Sequence, residues 1–188
     1  MRTQVGIIGA GPAGLLLSHL LHLQGIESVV LESRSYDYIT SRIRAGLMEQ
    51  NTVDLLNEVG LAKNLNRVAL PHDGVQFTFD GVLRRINMQE LIGRRVTIYG
   101  QQLIVKDMAD IRERVGGRIL YEAEAIQISN LESKPSITFT HSGQEQTLEC
   151  DFLAGCDGFH GLSRPSIPKF LRKDFDRIYP FGWLGFLI

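Results

Sequence analysis

Cysteine is scarce in this chain: two among 188 residues, Cys150 and Cys156. They form neither a CxxC pair nor a Cys/His ligand spacing, which argues against a zinc site. Two buried free thiols in a reducing, cytoplasmic setting are the expectation. Charge of either sign is not in excess: the formal net charge is −1, so neither nucleic acid nor an anionic membrane surface is an expected partner. No apolar run reaches the roughly 20 residues of a membrane span. The N-terminus has no apolar h-region, so no signal peptide is expected. The chain also lacks an internal repeat, a low-complexity tract, a G-x-S-x-G elbow, an HExxH pair and a nucleophile–base spacing. Any chemistry therefore belongs to a bound cofactor.

What is present starts at once. Gln4 to Ile8 is a short apolar run suited to a buried parallel strand. Gly9, Gly11 and Gly14 follow at G-x-G-x-x-G spacing, and Leu15, Leu16, Leu17, Leu20 and Leu21 repeat with helical period. Glu27 to Glu32 reads as a second strand ending in an acid. Strand, glycines, helix, strand and acid together form a dinucleotide-binding fingerprint. Gly9 permits a tight turn, Gly11 admits a pyrophosphate to the helix N-terminus, and Gly14 allows close helix–strand packing. Glu32 can accept hydrogen bonds from ribose hydroxyls.

Further along, Thr40 to Gly46 reads as a basic connection, Leu47 to Val59 as a helix, and Leu61 to Val68 as a second short helix. Gly74 to Ile86 alternates around Asp80-Gly81 and reads as a hairpin. Arg95 to Tyr99 is a strand and Gln101 to Val115 a helix. Arg118 to Tyr121, Ala123 to Ser129, Ser136 to Thr140 and Thr147 to Cys150 read as a strand and a small antiparallel meander, before a separate apolar strand, Phe152 to Cys156. The length suits one domain, or one and a fraction.

Several polar residues invite a functional reading. Arg42 and Arg44 lie two apart and could bind a pyrophosphate or a second, phosphorylated nucleotide; the plain alternative is two solvated arginines. The adjoining Ala45 and Gly46 are small enough for a ring to approach. Asp157, before Gly158, stands at the end of a buried strand and could accept a ribose hydroxyl, hold a loop beside a cofactor, or simply make a turn. His160 and Arg164, four apart, could recognise phosphate. Gln101 could cap its helix or face a ligand. Tyr179 to Ile188 is strongly apolar, an unprotected edge on which natural domains seldom end, so the chain reads as a fragment or the product of a truncated reading frame.

Gly9-Ala10-Gly11-Pro12-Ala13-Gly14 with Glu32, Arg42-Ile43-Arg44-Ala45-Gly46, Tyr99-Gly100-Gln101, Gly155-Cys156-Asp157-Gly158-Phe159-His160-Gly161 and Tyr179-Pro180-Phe181-Gly182-Trp183-Leu184-Gly185 are collinear over essentially the whole chain. Together they resemble the 4-hydroxybenzoate 3-monooxygenase family of group A flavoprotein hydroxylases. The resemblance implies an α/β, FAD/NAD(P)-binding Rossmann-like fold of the glutathione-reductase type with a small antiparallel meander. It divides the chain into an incomplete FAD-binding domain, residues 1–175, and the first strand of a β-rich substrate domain, residues 176–188.

It also implies roles. Gly9, Gly11, Ala13 and Gly14 line the FAD pyrophosphate and Glu32 binds the adenosine ribose. Arg42, Ile43, Arg44, Ala45, Gly46 and Leu47 form a flexible flavin-side loop, in which Arg44 meets FAD and Arg42 assists the nicotinamide nucleotide. Gln101 contacts the ribityl-phosphate region, and Asp157 serves both FAD and NAD(P)H. Tyr38, His160 and Arg164 bind reduced nucleotide. Ser33 follows Glu32 where many NADPH-using members carry a basic residue, but Arg34 can reach a 2′-phosphate, so NADPH is expected, with NADH possible. The implied reaction uses FAD, NADPH and molecular oxygen to convert 4-hydroxybenzoate to 3,4-dihydroxybenzoate in aromatic degradation. Full-length members are expected to be homodimers. The alternatives are a non-catalytic FAD-binding remnant or another flavoprotein aromatic hydroxylase. No catalytic residue is assigned, because the family's substrate-holding residues lie in its other half.

Overall fold

Residues 1–182, 184 and 185 are described by a computed structural model. The glycine-rich start folds as expected. Strand β1 (Arg2–Ile8) runs into helix α1 (Pro12–Leu23), and the chain returns as β2 (Ser28–Leu31) parallel to β1. All four residues of β2 are buried, as befits a parallel strand covered on both faces.

The next stretch departs from the sequence reading. The basic connection is preceded by a helix, α2 (Tyr36–Ser41), with Ser35 as N-cap accepting from the Tyr38 amide at 3.2 Å. The helix expected from Leu47 is shorter. Leu47–Glu49 is strand β3, and only Gln50–Glu58 is helix α3. A three-residue strand is too short to show alternation, and Leu47 is extended because it pairs with Ile98. Likewise, Leu61 and Ala62 are buried, but helix α4 spans only Leu65–Val68. Strand β4 (Leu70–His72) contains Pro71 and lies at a sheet edge, where a missing N–H is tolerated.

The hairpin β5 (Gly74–Phe79) and β6 (Val82–Asn87) forms as read. Asp80 and Gly81 both have positive φ, 50° and 71°, the geometry that matches strand twist. A short helix α5 (Met88–Ile92) ends at left-handed Gly93. Strand β7 (Val96–Ile98) pairs with both β3 and β4 in a small antiparallel sheet. Helix α6 (Gln101–Arg114), strand β8 (Arg118–Leu120), β9 (Ala123–Ser129) and β10 (Ser136–His141) follow.

The two strands expected after Ser142-Gly143 are one: β11 (Gln144–Gly155). Its first half pairs antiparallel with β10 and its second half parallel with β1. Sequence alternation changes to a continuous apolar run where its neighbours change. Helix α7 (Ser163–Ser166) and a 3₁₀ turn at Lys169–Leu171 close the described elements. Residues 176–182, 184 and 185 are irregular and pair with no strand among the described residues; the rest of the strand expected over 176–188 lies outside them.

The main sheet has the order β8-β2-β1-β11-β10-β9. One core joins Ile7, Leu15, Val30, Leu56, Ile104 and Met108 beneath α1 and α6. The other joins Ile8, Leu31, Ile137, Phe139 and Leu148 under the meander. Together they clamp the parallel strands so that β1, β2 and β11 all end on one edge.

Candidate functional site

A cavity of about 1050 Å³ opens at that edge. Crevices outside the carboxyl ends of parallel strands are where such sheets hold ligands. Its floor is the glycine turn. The Gly9 amide donates to the Leu31 carbonyl at 2.7 Å, and the Cys156 amide donates to the Ile8 carbonyl at 2.8 Å. These bonds fix the ends of β2, β1 and β11 to one another.

The three glycines divide the work. Gly9 has φ +102°, and a Cβ there would sit 2.5 Å from the Cys156 carbonyl oxygen, so conformation and space both require glycine. Gly14 does not line the cavity; it lies in α1 against the turn, and a Cβ would press on the Gly9 carbonyl group. Gly11 is different: a Cβ would meet nothing within 4 Å. Its bare face is turned to the cavity, which it lines with Gly9 and Ala13. Gly11 is also the N-cap of α1 and no side chain caps that end. The helix's first amides are left to a ligand, and the positive end of its dipole suits an anion.

Glu32 lines the cavity while only 8% exposed. One carboxylate oxygen accepts from the Ala10 amide at 2.8 Å, the other from the Arg34 amide at 2.9 Å and the Ser33 hydroxyl at 3.4 Å. This fixes the acid's orientation and leaves acceptor capacity on each oxygen for hydroxyl donors. The wall beside it was not legible in the sequence. Ala123, Glu124 and Ala125 line the cavity because the Ala123 amide donates to the Glu32 carbonyl at 2.8 Å and the Glu122 amide to the Arg34 carbonyl at 3.1 Å. Glu122, a non-glycine residue at φ 54°, turns the chain into this wall.

The rim is cationic and aromatic. Arg34, Tyr38, Arg42 and Arg44 all line the cavity. The Arg34 and Arg42 guanidinium carbons lie 5.3 and 5.7 Å from the Tyr38 ring centre, and Arg42 donates to the Tyr38 hydroxyl at 2.9 Å. Arg44 has no carboxylate partner among the described residues. Ile43, Ala45, Gly46 and Leu47 of the expected loop do not line the cavity. Gly46 is small for another reason: a Cβ would sit 2.5 Å from the Gly100 Cα, and the Gly46 carbonyl accepts from the Tyr99 amide at 2.7 Å. It packs the loop onto the end of β7.

Beyond that contact lies a half-buried cluster. The Tyr99 hydroxyl donates to Asp107 and accepts from Asn64 at 2.6 Å. Burial first, then Asp107, holds the Tyr99 phenol above its ordinary pKa. Gln101 lines the cavity as the first residue of α6, after Gly100 as N-cap, so it faces the site and does not cap the helix. Gln102 also lines it, and its buried Oε1 has no hydrogen-bond partner. An adjacent glutamine in a helix offers no separate sequence signal.

Asp157 and His160 complete the cavity wall. Asp157 takes the loop-holding role: its Oδ2 accepts from the Ser163 amide at 2.8 Å and hydroxyl at 2.9 Å. The His160 ring meets Phe159 edge to face at 4.9 Å. Arg164 does not line this cavity with His160. It stacks on Phe159 at 4.3 Å and lines a second, smaller cavity of about 530 Å³ with Ile128 and Leu153. Cys156 borders both cavities; burial, then Asp157, pushes its thiol pKa up. Cys150 is buried and Cys156 half-buried, both free. Among the described residues no cluster could hold a metal, and no helix is long and apolar enough to cross a membrane.

A glycine turn open to a large cavity, an uncapped helix end, an oriented acid and an arginine rim define a dinucleotide-binding domain. The chain belongs to the FAD-binding domain family, which it matches over residues 2–188. It is 47% identical over all 188 residues to the p-hydroxybenzoate hydroxylase of Acinetobacter baylyi, of which it covers 46%. Its fold is similar to that of p-nitrophenol 4-monooxygenase PnpA from Pseudomonas putida DLL-E4, with TM-score 0.78, 19% identity, and coverage of 87% of this chain and 43% of that one. P. aeruginosa PqsL, solved with 2-aminobenzoylacetate, gives TM-score 0.78, 20% identity, and coverage of 96% and 49%. These two likenesses speak to the fold alone. The chain spans about half the length of the relatives it matches.

Proposed function

We propose that this chain is the FAD- and NADPH-binding half of an aromatic hydroxylase that converts 4-hydroxybenzoate to 3,4-dihydroxybenzoate. The observation that carries the reading is the single cavity, of about 1050 Å³, that brings together the Gly9–Ala13 turn, Glu32, Arg42, Arg44, Gln101 and Asp157. That volume is at the upper end for small-molecule sites and suits an extended dinucleotide. The fit to FAD is local as well. The open face of Gly11 and the uncapped end of α1 accept a diphosphate, and Glu32 is held to receive ribose hydroxyls.

When bound, FAD would supply the redox chemistry between reduced nucleotide and oxygen. The chain's own residues bind and orient. Glu32 would hold the adenosine ribose, Arg44 and Gln101 would meet the flavin side of FAD, and Asp157 holds the loop that carries His160. Arg34, Tyr38 and Arg42 form the rim for the reduced nucleotide, with guanidinium groups suited to a 2′-phosphate. The 47% identity to the Acinetobacter baylyi hydroxylase supports 4-hydroxybenzoate as substrate. Relatives of this type act as whole chains of about twice this length, so the 188-residue chain alone is expected to bind FAD without turnover. Full-length protein is expected to be a cytoplasmic homodimer.

The test is a chimera in which residues 1–188 replace the matching segment of the Acinetobacter baylyi enzyme. Product and NADPH oxidation are followed with and without 4-hydroxybenzoate, alongside FAD titration of the isolated chain. Substrate-stimulated NADPH oxidation with 3,4-dihydroxybenzoate formation supports residues 1–188 as the FAD- and NADPH-binding half of such a hydroxylase. A chimera that folds but binds no FAD, or holds FAD that NADPH does not reduce, refutes it.

A further inference from the structure

Helix α2 carries the rim residue Tyr38, yet it has little to hold it. It is six residues long and none of them is buried. A single turn and a half of helix has no stability of its own. Apart from its Ser35 cap and the partly buried Ile39, it is tied to the body of the protein through Tyr36. The Tyr36 hydroxyl donates to Asp110 Oδ1 at 2.5 Å. Lys106 Nζ donates to Asp110 Oδ2 at 2.6 Å and to the Tyr36 hydroxyl at 3.1 Å, closing a three-membered ring of contacts. The Lys106 ammonium also lies 5.7 Å from the Tyr36 ring centre, and Tyr121 meets that ring edge-on at 5.7 Å.

Geometry connects this clamp to the rim. Tyr36 and Tyr38 are two residues apart, about 200° around a helix with 3.6 residues per turn. One points in to α6, the other out between Arg34 and Arg42. A roll of α2 that lengthens the Tyr36–Asp110 bond shifts Tyr38, and with it Arg42 at the C-cap of α2, relative to Arg34. The clamp members are chemically suited to persist. Burial works against the Asp110 carboxylate, but the hydrogen bonds from Lys106 and Tyr36 outweigh it and hold its pKa low. The hydrogen bonds that Lys106 donates to Asp110 and to the Tyr36 hydroxyl hold its own pKa high.

We propose that Tyr36, clamped by Asp110 and Lys106 of α6, is a positioning residue that sets the Arg34–Tyr38–Arg42 rim for a nucleotide carrying a 2′-phosphate. This rests on the reading of the rim given above. Tyr36 does not line the cavity, so it acts through the rim and not by contact with a ligand.

The experiment uses the 188-residue chain with Tyr36→Phe, which deletes one oxygen and keeps the ring, and Asp110→Asn as a second variant. Amide hydrogen exchange over residues 37–41 reads the clamp directly. Titrations with adenosine 2′,5′-bisphosphate, 5′-AMP and FAD read its consequence. A hydrogen bond of ordinary net strength predicts roughly 3- to 10-fold faster exchange and a similar loss of bisphosphate affinity, with 5′-AMP and FAD within about 2-fold. The proposal is overturned if Tyr36→Phe leaves exchange or bisphosphate binding unchanged, or weakens FAD to the same extent. Arg34→Gln separates the two levels. If it leaves bisphosphate affinity unchanged, the rim reading fails and the proposal with it. If it weakens binding while Tyr36→Phe does not, the rim reading stands and the clamp alone is refuted.

Discussion

Alanine at position 14 should do the opposite of what helix propensity says, and its contrast with alanine at position 11 separates fold from site. In a helix interior, Gly to Ala gains about 1 kcal/mol. At Gly14 the new Cβ would lie 3.2 Å from both the Gly9 carbonyl carbon and the Cys156 Cβ, and closer still to the Gly9 carbonyl oxygen. The obstacle is backbone. Gly9 is itself pinned, with its amide bonded to Leu31 at 2.7 Å and its φ at +102°. Overpacking costs about 1–3 kcal/mol, and a fixed backbone neighbour puts this case near the top of that range. The net is about 2 kcal/mol lost, which for a chain of this size lowers Tm by roughly 4–8 °C. Gly11→Ala meets open space from an ordinary extended backbone, φ −74° and ψ −178°, so its stability should change by less than about 1 kcal/mol. Its methyl group stands where a diphosphate must approach, so FAD affinity should fall by about 10-fold or more, equivalent to about 1.4 kcal/mol. Thermal unfolding by circular dichroism and FAD titration by flavin fluorescence give the two readouts. A Gly14→Ala variant as stable as the parent, or a Gly11→Ala variant with unaltered FAD affinity, refutes this division of labour.

Glu32→Gln keeps the shape but turns an NH2 group towards one of two backbone donors, at Ala10 or Arg34. A charge-assisted bond of about 1.5–3 kcal/mol is lost, so FAD should bind roughly 10- to 100-fold more weakly by fluorescence titration. At Asp157 the conservative and drastic variants should part company. Asn can still offer one oxygen to Ser163, whereas Ala leaves the Ser163 amide and hydroxyl without their acceptor; about 1–3 kcal/mol of stability is expected to go in urea unfolding of Asp157→Ala only. Stability should also fall in alkali. Tyr36, Tyr99 and Tyr121 are each held protonated by burial and by carboxylate neighbours, above the ordinary tyrosine value. The unfolded chain releases these protons from about pH 10 while the folded chain retains them. The native state then binds more protons, so the stabilisation is complete below about pH 10 and declines above it. Tyr99→Phe should flatten that decline in unfolding measured across pH 8–11.

The parts of the fold that were legible in the sequence are those whose neighbours are close in the chain or whose burial is uniform. Val5 to Ile8 and Ser28 to Leu31 are covered on both faces, so their apolar runs name them as strands. Asp80-Gly81 and Ser142-Gly143 each supply two positive φ values, and both hairpins were readable from them. Leu47–Glu49 was not readable, because its strand character comes from Val96–Ile98, nearly fifty residues away. The site follows the same division. The glycine turn, Glu32 and the rim residues Tyr38, Arg42 and Arg44 were visible as spacing or resemblance. The Ala123–Ala125 wall and the turning away of Arg164 depend on tertiary contacts that no local pattern carries.

Helix α6 ties these pieces to one another. Its first residues, Gln101 and Gln102, face the cavity, while Asp107 in its middle binds Tyr99 and Asn64 and so backs the Arg42–Leu47 loop. Its outer face, through Lys106 and Asp110, holds α2. Its last turn buries Arg112, 3% exposed, whose Nε donates to Ser18 of α1 at 3.1 Å. Gly117 must be glycine for that guanidinium to tuck in, since a Cβ there would sit 2.5 Å from Arg112 Nη2. One helix thus registers α1 behind the glycine turn, the rim helix α2 and the arginine loop against a common axis. Because its Arg112 contact to α1 is buried and its hydrogen bonds to α2 are only partly so, a change in α6 near Arg112 should be felt as lost stability. A change near Asp110 should be felt as altered nucleotide recognition in a protein that still folds.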